Sequence, residues 1–188
     1  MSQFTRQTIL DSLPHRPPFL FVDEIRDWTE EKIVTAYRFK EDEFFFKGHY
    51  PERPIVPGVI LCESAMQAGA IFLSRLFQSE KETGAVGGDA PSGLSSDESR
   101  TGEKNGGNWT VENSSDAVPS PPAKKKVPVV GRMEDIRFKK MIAPGEEILC
   151  EVTFKEKMTH VYFMTAKITS DGKLVARFDF ACTQTSGD

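Results

Sequence analysis

The sequence predicts an α+β domain in which an antiparallel sheet wraps around one long central helix. Two observations carry this: a helix-length segment starting at Pro57 that is apolar on nearly all its sides, and a clear alternation of apolar and polar residues after Pro144. A third, a low-complexity stretch over 83–123 between them, says that the domain is interrupted rather than doubled.

In chain order, strands are expected near Leu20–Trp28 and over Lys32–Lys40, the second alternating through Ile33, Thr35, Tyr37 and Phe39. The helix follows, from about Pro57 to Gln78, with proline at its start, where the missing N–H has no intrahelical use. From Thr83 to Ala123 lie seven of the fourteen glycines, seven serines and four prolines, with almost no large aliphatic residues. This composition predicts disorder, and an insertion of that length is tolerable because loop-closure entropy grows only logarithmically. One domain over 1–188 with an insertion is therefore expected, not two domains.

After the insertion a strand is expected over Val127–Phe138. Ile148, Cys150, Val152 and Phe154 then share one face of a strand, and Tyr162, Met164, Ala166 and Ile168 one face of the next. Asp171-Gly172 closes a hairpin with a last alternating run through Leu174, Ala176, Phe178, Phe180 and Cys182.

Charged residues make up 28% of the chain and the formal net charge is −4, so the basic excess that nucleic-acid binding needs is missing. The three cysteines, Cys62, Cys150 and Cys182, show neither disulfide-framework nor zinc spacing, which fits a reducing compartment. The first residues lack a secretory pattern and no long uncharged apolar run exists, so a cytoplasmic protein without membrane insertion is expected.

Glu63 is the anomaly of the apolar helix. An ionised carboxylate buried without a partner is costly and tends to take up a proton, which would make it a general acid; a place on a partly exposed helix side is the alternative. Gln67 lies one turn on, where it would orient the carboxyl. Upstream, His49 sits in FFFKGHYPERPIVPG, a proline-punctuated loop leading into the helix and suited to holding a base, although a histidine there can equally just bond a loop carbonyl. The same bland reading is kept for His15 and His160. Gly58, in the first helical turn, offers a backbone N–H without an intrahelical acceptor at the positive end of the helix dipole; packing is the competing reason for a glycine there.

Taken together, F-F-x-G-H-Y-P-x-x-P-I-x-P-G-V-x-x-x-E-x-x-x-Q over 45–67 resembles the active-site signature of bacterial 3-hydroxyacyl-[acyl-carrier-protein] dehydratases of the FabZ type. PHRPPFLFVDEI (14–25) and RFKKMIAPGEEI (137–148) are similar to that family's N-terminal and second-half motifs. The resemblance implies a hot-dog fold and a homodimer with continuous sheets, with sites in interface tunnels where histidine and glutamate come from different protomers. A hexamer built as a trimer of dimers is left open.

By motif position it makes His49, Glu63 and Gly58 the catalytic groups. No metal or organic cofactor is needed for the elimination. Gln67, Phe72 and Val59 are expected at the substrate, with Met66, Ala70 and Phe44–Phe46 as further candidates for the acyl tunnel. Arg137, Lys139 and Lys140 are expected to steer an acidic acyl carrier protein, a protected strand edge being the plainer reading of these cations. Glutamate rather than aspartate at 63 favours dehydration without isomerisation. Three departures from the family pattern stand out: the insertion, close to where a mobile flap gates the tunnel in relatives, and the residues Ser64 and Pro17. A hot-dog thioesterase and a non-catalytic hot-dog scaffold subunit are the competing functions.

Overall fold

The computed structural model of this protein describes residues 4–82 and 127–185; the 83–123 stretch lies outside them. It has the hot-dog architecture, one long helix lying across a single antiparallel sheet.

A short helix, α1 (Arg6–Ser12), opens the chain. It is capped by a reciprocal pair in which the Thr5 hydroxyl accepts from the Thr8 N–H while the Thr8 side chain accepts from the Thr5 N–H. The alternation-based reading missed it, since Ile9 is its only buried residue. The strands are β1 (Glu24–Trp28), β2 (Lys32–Arg38), β3 (Val127–Phe138), β4 (Glu147–Met158), β5 (Val161–Ser170) and β6 (Lys173–Thr185). They run side by side in the order β1-β2-β4-β5-β6-β3. The first strand is shorter than expected: Leu20, Phe21 and Val22 are all buried and precede the ladder instead of alternating within it.

The helix α2 (Gly58–Glu82) lies against the sheet. Burial follows the predicted faces: Ile33, Thr35, Tyr37 and Phe39, then Ile148, Cys150 and Val152, then Tyr162, Met164, Ala166 and Ile168 are all buried. Period two on strands opposite a helix gives this half-buried pattern. In β6 the alternation slips. Ile168 pairs with Ala176 but Thr169 with Leu174, so Val175 is an extra residue, and Val175 and Ala176 are both buried. The hairpin turn is as expected: Asp171 and Gly172 both have positive φ (50° and 73°), the two left-handed residues of a type I′ turn.

Gly58–Ser79 is long and apolar enough to cross a membrane, but it is the core helix here, with 61% of its apolar window buried inside the fold. Its less buried flank is a single stripe, Val59, Glu63, Met66 and Ala70, at spacings of four, three and four. Phe72 stands half a turn away from Glu63 around the axis. It is buried and stacked on Phe154 at 6.0 Å, on the helix face away from Glu63.

Candidate active site

A one-turn 3₁₀ helix, Phe44–Lys47, leads into the loop that carries His49. The His49 N–H donates to the Phe45 carbonyl (2.9 Å), and the following residue, Tyr50, takes a left-handed φ of 52°. For a tyrosine that is a strained backbone, tolerated where the surroundings fix it. The turn is closed by the Arg53 N–H on the Tyr50 carbonyl and tied to the rest of the fold by the Val56 N–H on the Ile142 carbonyl (2.8 Å).

The His49 ring is held from one side, by Nδ1 on the Ile55 carbonyl at 2.9 Å. A carbonyl can only accept, so Nδ1 carries the proton, and in the neutral ring Nε2 keeps its lone pair. The loop thus holds the ring in the tautomer a base needs. The plain reading, a histidine bonding a loop carbonyl, is what the structure shows, and it is compatible with a base.

Pro57 is the N-cap of α2: its carbonyl accepts from Ile60 (2.9 Å) and Leu61 (3.3 Å). Gly58 is then the first helical residue, with an N–H that has no acceptor within the helix. The glycine also has a steric reason. A Cβ at 58 would come within 2.9 Å of the Phe138 ring, which lies over the helix start from β3.

Glu63 is the charged member of the otherwise apolar stripe, its side chain 19% exposed. Its Oε1 accepts from Gln67 Nε2 at 2.9 Å. Gln67 is itself buried and fully engaged, with Nε2 also donating to the Phe19 carbonyl (3.1 Å) and Oε1 accepting from the Phe21 N–H (2.8 Å). Both its amide hydrogens are therefore used, one of them on the Glu63 carboxyl. His15, which the sequence reading set aside, lies with Nε2 3.6 Å from the same Glu63 oxygen. Its signal in the sequence was only the PHRPPF motif, since its partner is far along the chain. His160 is in the exposed turn between β4 and β5.

The chain brings Glu63, Gln67 and His15 together and Gly58 under Phe138, but no hydrogen bond or ion pair links His49 to Glu63 among the described residues. Val59 is the most exposed large apolar residue among the described residues, at 73%. Among the expected carrier-steering cations, Arg137 and Lys139 are exposed, whereas Lys140 is drawn inward to Glu146 and Ser170. That contact holds the Glu146 carboxyl below the usual carboxylate range. No cluster of three or more His, Cys, Asp or Glu able to hold a metal exists among the described residues.

A family model for the FabA-like domain matches residues 13–91. A 3-hydroxyacyl-[acyl-carrier-protein] dehydratase FabZ from Clostridium perfringens (strain SM101) is 30% identical over 166 residues, 88% of each chain. The FabZ of Burkholderia mallei (strain SAVP1) is 26% identical over 186 residues, 98% of this chain and 94% of that one. Among solved structures, the dehydratase heterocomplex ApeI:P from Xenorhabdus doucetiae matches with a TM-score of 0.60 at 11% identity, over 94% of this chain and 90% of that one, a likeness of fold alone. The fold places a buried-sided glutamate, a tautomer-fixed histidine and a free helix-start N–H at the motif positions, and the identity extends over most of both chains: this chain belongs to the FabZ family of 3-hydroxyacyl-[acyl-carrier-protein] dehydratases.

Proposed function

We infer that the protein removes water from (3R)-3-hydroxyacyl thioesters carried on acyl carrier protein, giving trans-2-enoyl-ACP in fatty acid biosynthesis. The observation that carries this reading is Glu63: a carboxyl on an apolar stripe, one oxygen held by Gln67 and the other left for a reacting group. In the elimination, His49 Nε2 takes the proton from C2, the electron pair of that bond forms the C2=C3 double bond, and the C3 hydroxyl leaves as water with the proton of Glu63. The Gly58 N–H hydrogen-bonds the thioester carbonyl as it gathers enolate character. One proton returned from His49 to Glu63 resets the pair.

The two halves of the site meet when two chains pair. β3 is a twelve-residue strand at the edge of the sheet, bonded among the described residues only to β6, with Val129, Ile136 and Phe138 exposed. A long apolar edge is a liability unless something pairs with it, and a second copy of β3 does so while bringing the Phe138-covered helix start to the interface. The opposite edge, β1, has five residues, among them Glu24, Arg26 and Asp27, and is protected by its charges. The homodimer is thus the state this reading requires, over a single hot-dog domain; a trimer of dimers is not required by it.

Carrier docking has support in strand register. Arg137 of β3 is opposite Arg177 of β6, which is opposite Lys167 of β5, and all are exposed. Like charges placed directly across strands are destabilising, so this row together with Lys139 is suited to an acidic partner. It lies one residue along β3 from Phe138, on the opposite, solvent-facing side of the sheet.

The test is the absorbance of the conjugated enoyl thioester formed from a short-chain 3-hydroxyacyl-ACP. Wild-type protein produces the signal, and Glu63→Gln and His49→Ala each lower kcat by about 10²–10⁴ while remaining folded and dimeric. No product from folded wild-type protein over a series of chain lengths would end this reading in favour of a scaffold.

A further inference from the structure

We propose that His15 is a positioning residue for Glu63, the second arm of a clamp whose first arm is Gln67. The proposal rests on Glu63 being the acid. The stretch from His15 to Phe21 is laid across one turn of α2 and pinned there by Gln67, which bonds the Phe19 carbonyl and the Phe21 N–H as well as Glu63. The His15 ring stacks on Phe19, centroids 6.2 Å apart and planes 30° apart, and this stacking directs Nε2 at Glu63 Oε1. At 3.6 Å the contact is longer than a hydrogen bond, as catalytic contacts in unliganded sites often are before the substrate tightens them. Arg16, the neighbouring cation, is turned away and spends its guanidinium on the carbonyls of Leu10, Leu13 and His15.

The other ring nitrogen argues against a merely structural role. His15 Nδ1 is buried with no hydrogen-bond partner, and among the described side chains it is alone in this. A buried polar atom without a partner costs free energy, and an apolar residue of similar shape avoids that cost. If packing were the purpose of position 15, phenylalanine would serve it better. Because Nε2 faces a carboxyl oxygen, the neutral ring carries its proton there, leaving a bare lone pair at Nδ1 rather than an orphaned N–H. The ring therefore has one polar engagement, and it is with Glu63.

The proposal predicts that activity and stability separate. In the full-length protein, His15→Phe should hold or raise Tm, leave KM within about twofold and lower kcat about 10–30-fold, in keeping with the cost of a slightly misplaced catalytic group. His15→Gln, which keeps a side-chain N–H at similar reach, should recover kcat to within about threefold of wild type. Wild-type kcat in His15→Phe, or a loss of kcat in both variants that tracks a loss of Tm, would overturn the proposal. The ¹⁵N resonances of the His15 ring, read with and without Glu63→Gln, test the contact without turnover. They should move, and an unmoved His15 signal would sink the clamp whether or not Glu63 proves to be the acid.

Discussion

The ring of Phe138 occupies the space that a side chain on Gly58 would need, with three ring atoms 2.9–3.3 Å from the Cβ position. The helix start must therefore be bare for the ring to lie against it. Gly58→Ala is expected to push the ring aside at a stability cost of about 1–3 kcal/mol and to lower kcat more than it raises KM. Adding Phe138→Leu should recover most of the lost stability without restoring full kcat. Thermal denaturation and steady-state kinetics on the two variants read both effects; additive losses in the double variant would contradict the steric coupling.

His49 is anchored to its own loop and Glu63 to its own helix, and neither reaches the other within the chain. If each site takes one residue from each copy, two inactive proteins can complement. Mixing His49→Ala with Glu63→Gln, dissociating and letting the subunits recombine, should give heterodimers with one intact site, and so about a quarter of wild-type activity at equal amounts. No recovery after demonstrated subunit exchange would place both groups in one protomer.

Burial pushes the Cys62 thiol up to about 11 and those of Cys150 and Cys182 up to about 12. In the unfolded chain a thiol titrates near about 8.5, so between these values the native state holds protons that the unfolded state has lost. The stability from keeping these thiols neutral is complete below about pH 8.5 and drains away as pH rises toward the folded values. Native protein at pH 8 should leave an aromatic disulfide reagent unreacted until denaturant is added. The urea midpoint should fall from pH 8.5 upward, less steeply when the three cysteines are replaced by alanine. Fast labelling of the native protein would show that the thiols are accessible.

Much of this molecule was legible because its signals are local. The alternation through Ile148, Cys150 and Val152 placed β4, the Asp171-Gly172 pair placed a type I′ hairpin, and the 45–67 motif marked His49, Gly58 and Glu63. What escaped depends on contacts between distant segments. Nothing local marks His15 as the neighbour of Glu63, or Gln67 as the pin for Phe19 and Phe21. The side of the helix that Phe72 occupies was not legible either, because a helix apolar on most sides does not say which side meets the sheet; the stack on Phe154 shows it. Lys140 looked like a surface cation until β4 and β5 brought Glu146 and Ser170 to it.

The length of α2 sets the reactive end apart from the end where the chain departs. At about 1.5 Å per residue, Glu82 lies roughly 28 Å along the axis from Glu63. Exposed positions near that end, such as Gln78, are thereby mechanically insulated from Glu63, free to drift over evolutionary time without selection at that carboxyl. The same insulation makes them the place to attach a fluorophore, a reporter that rides on a working enzyme.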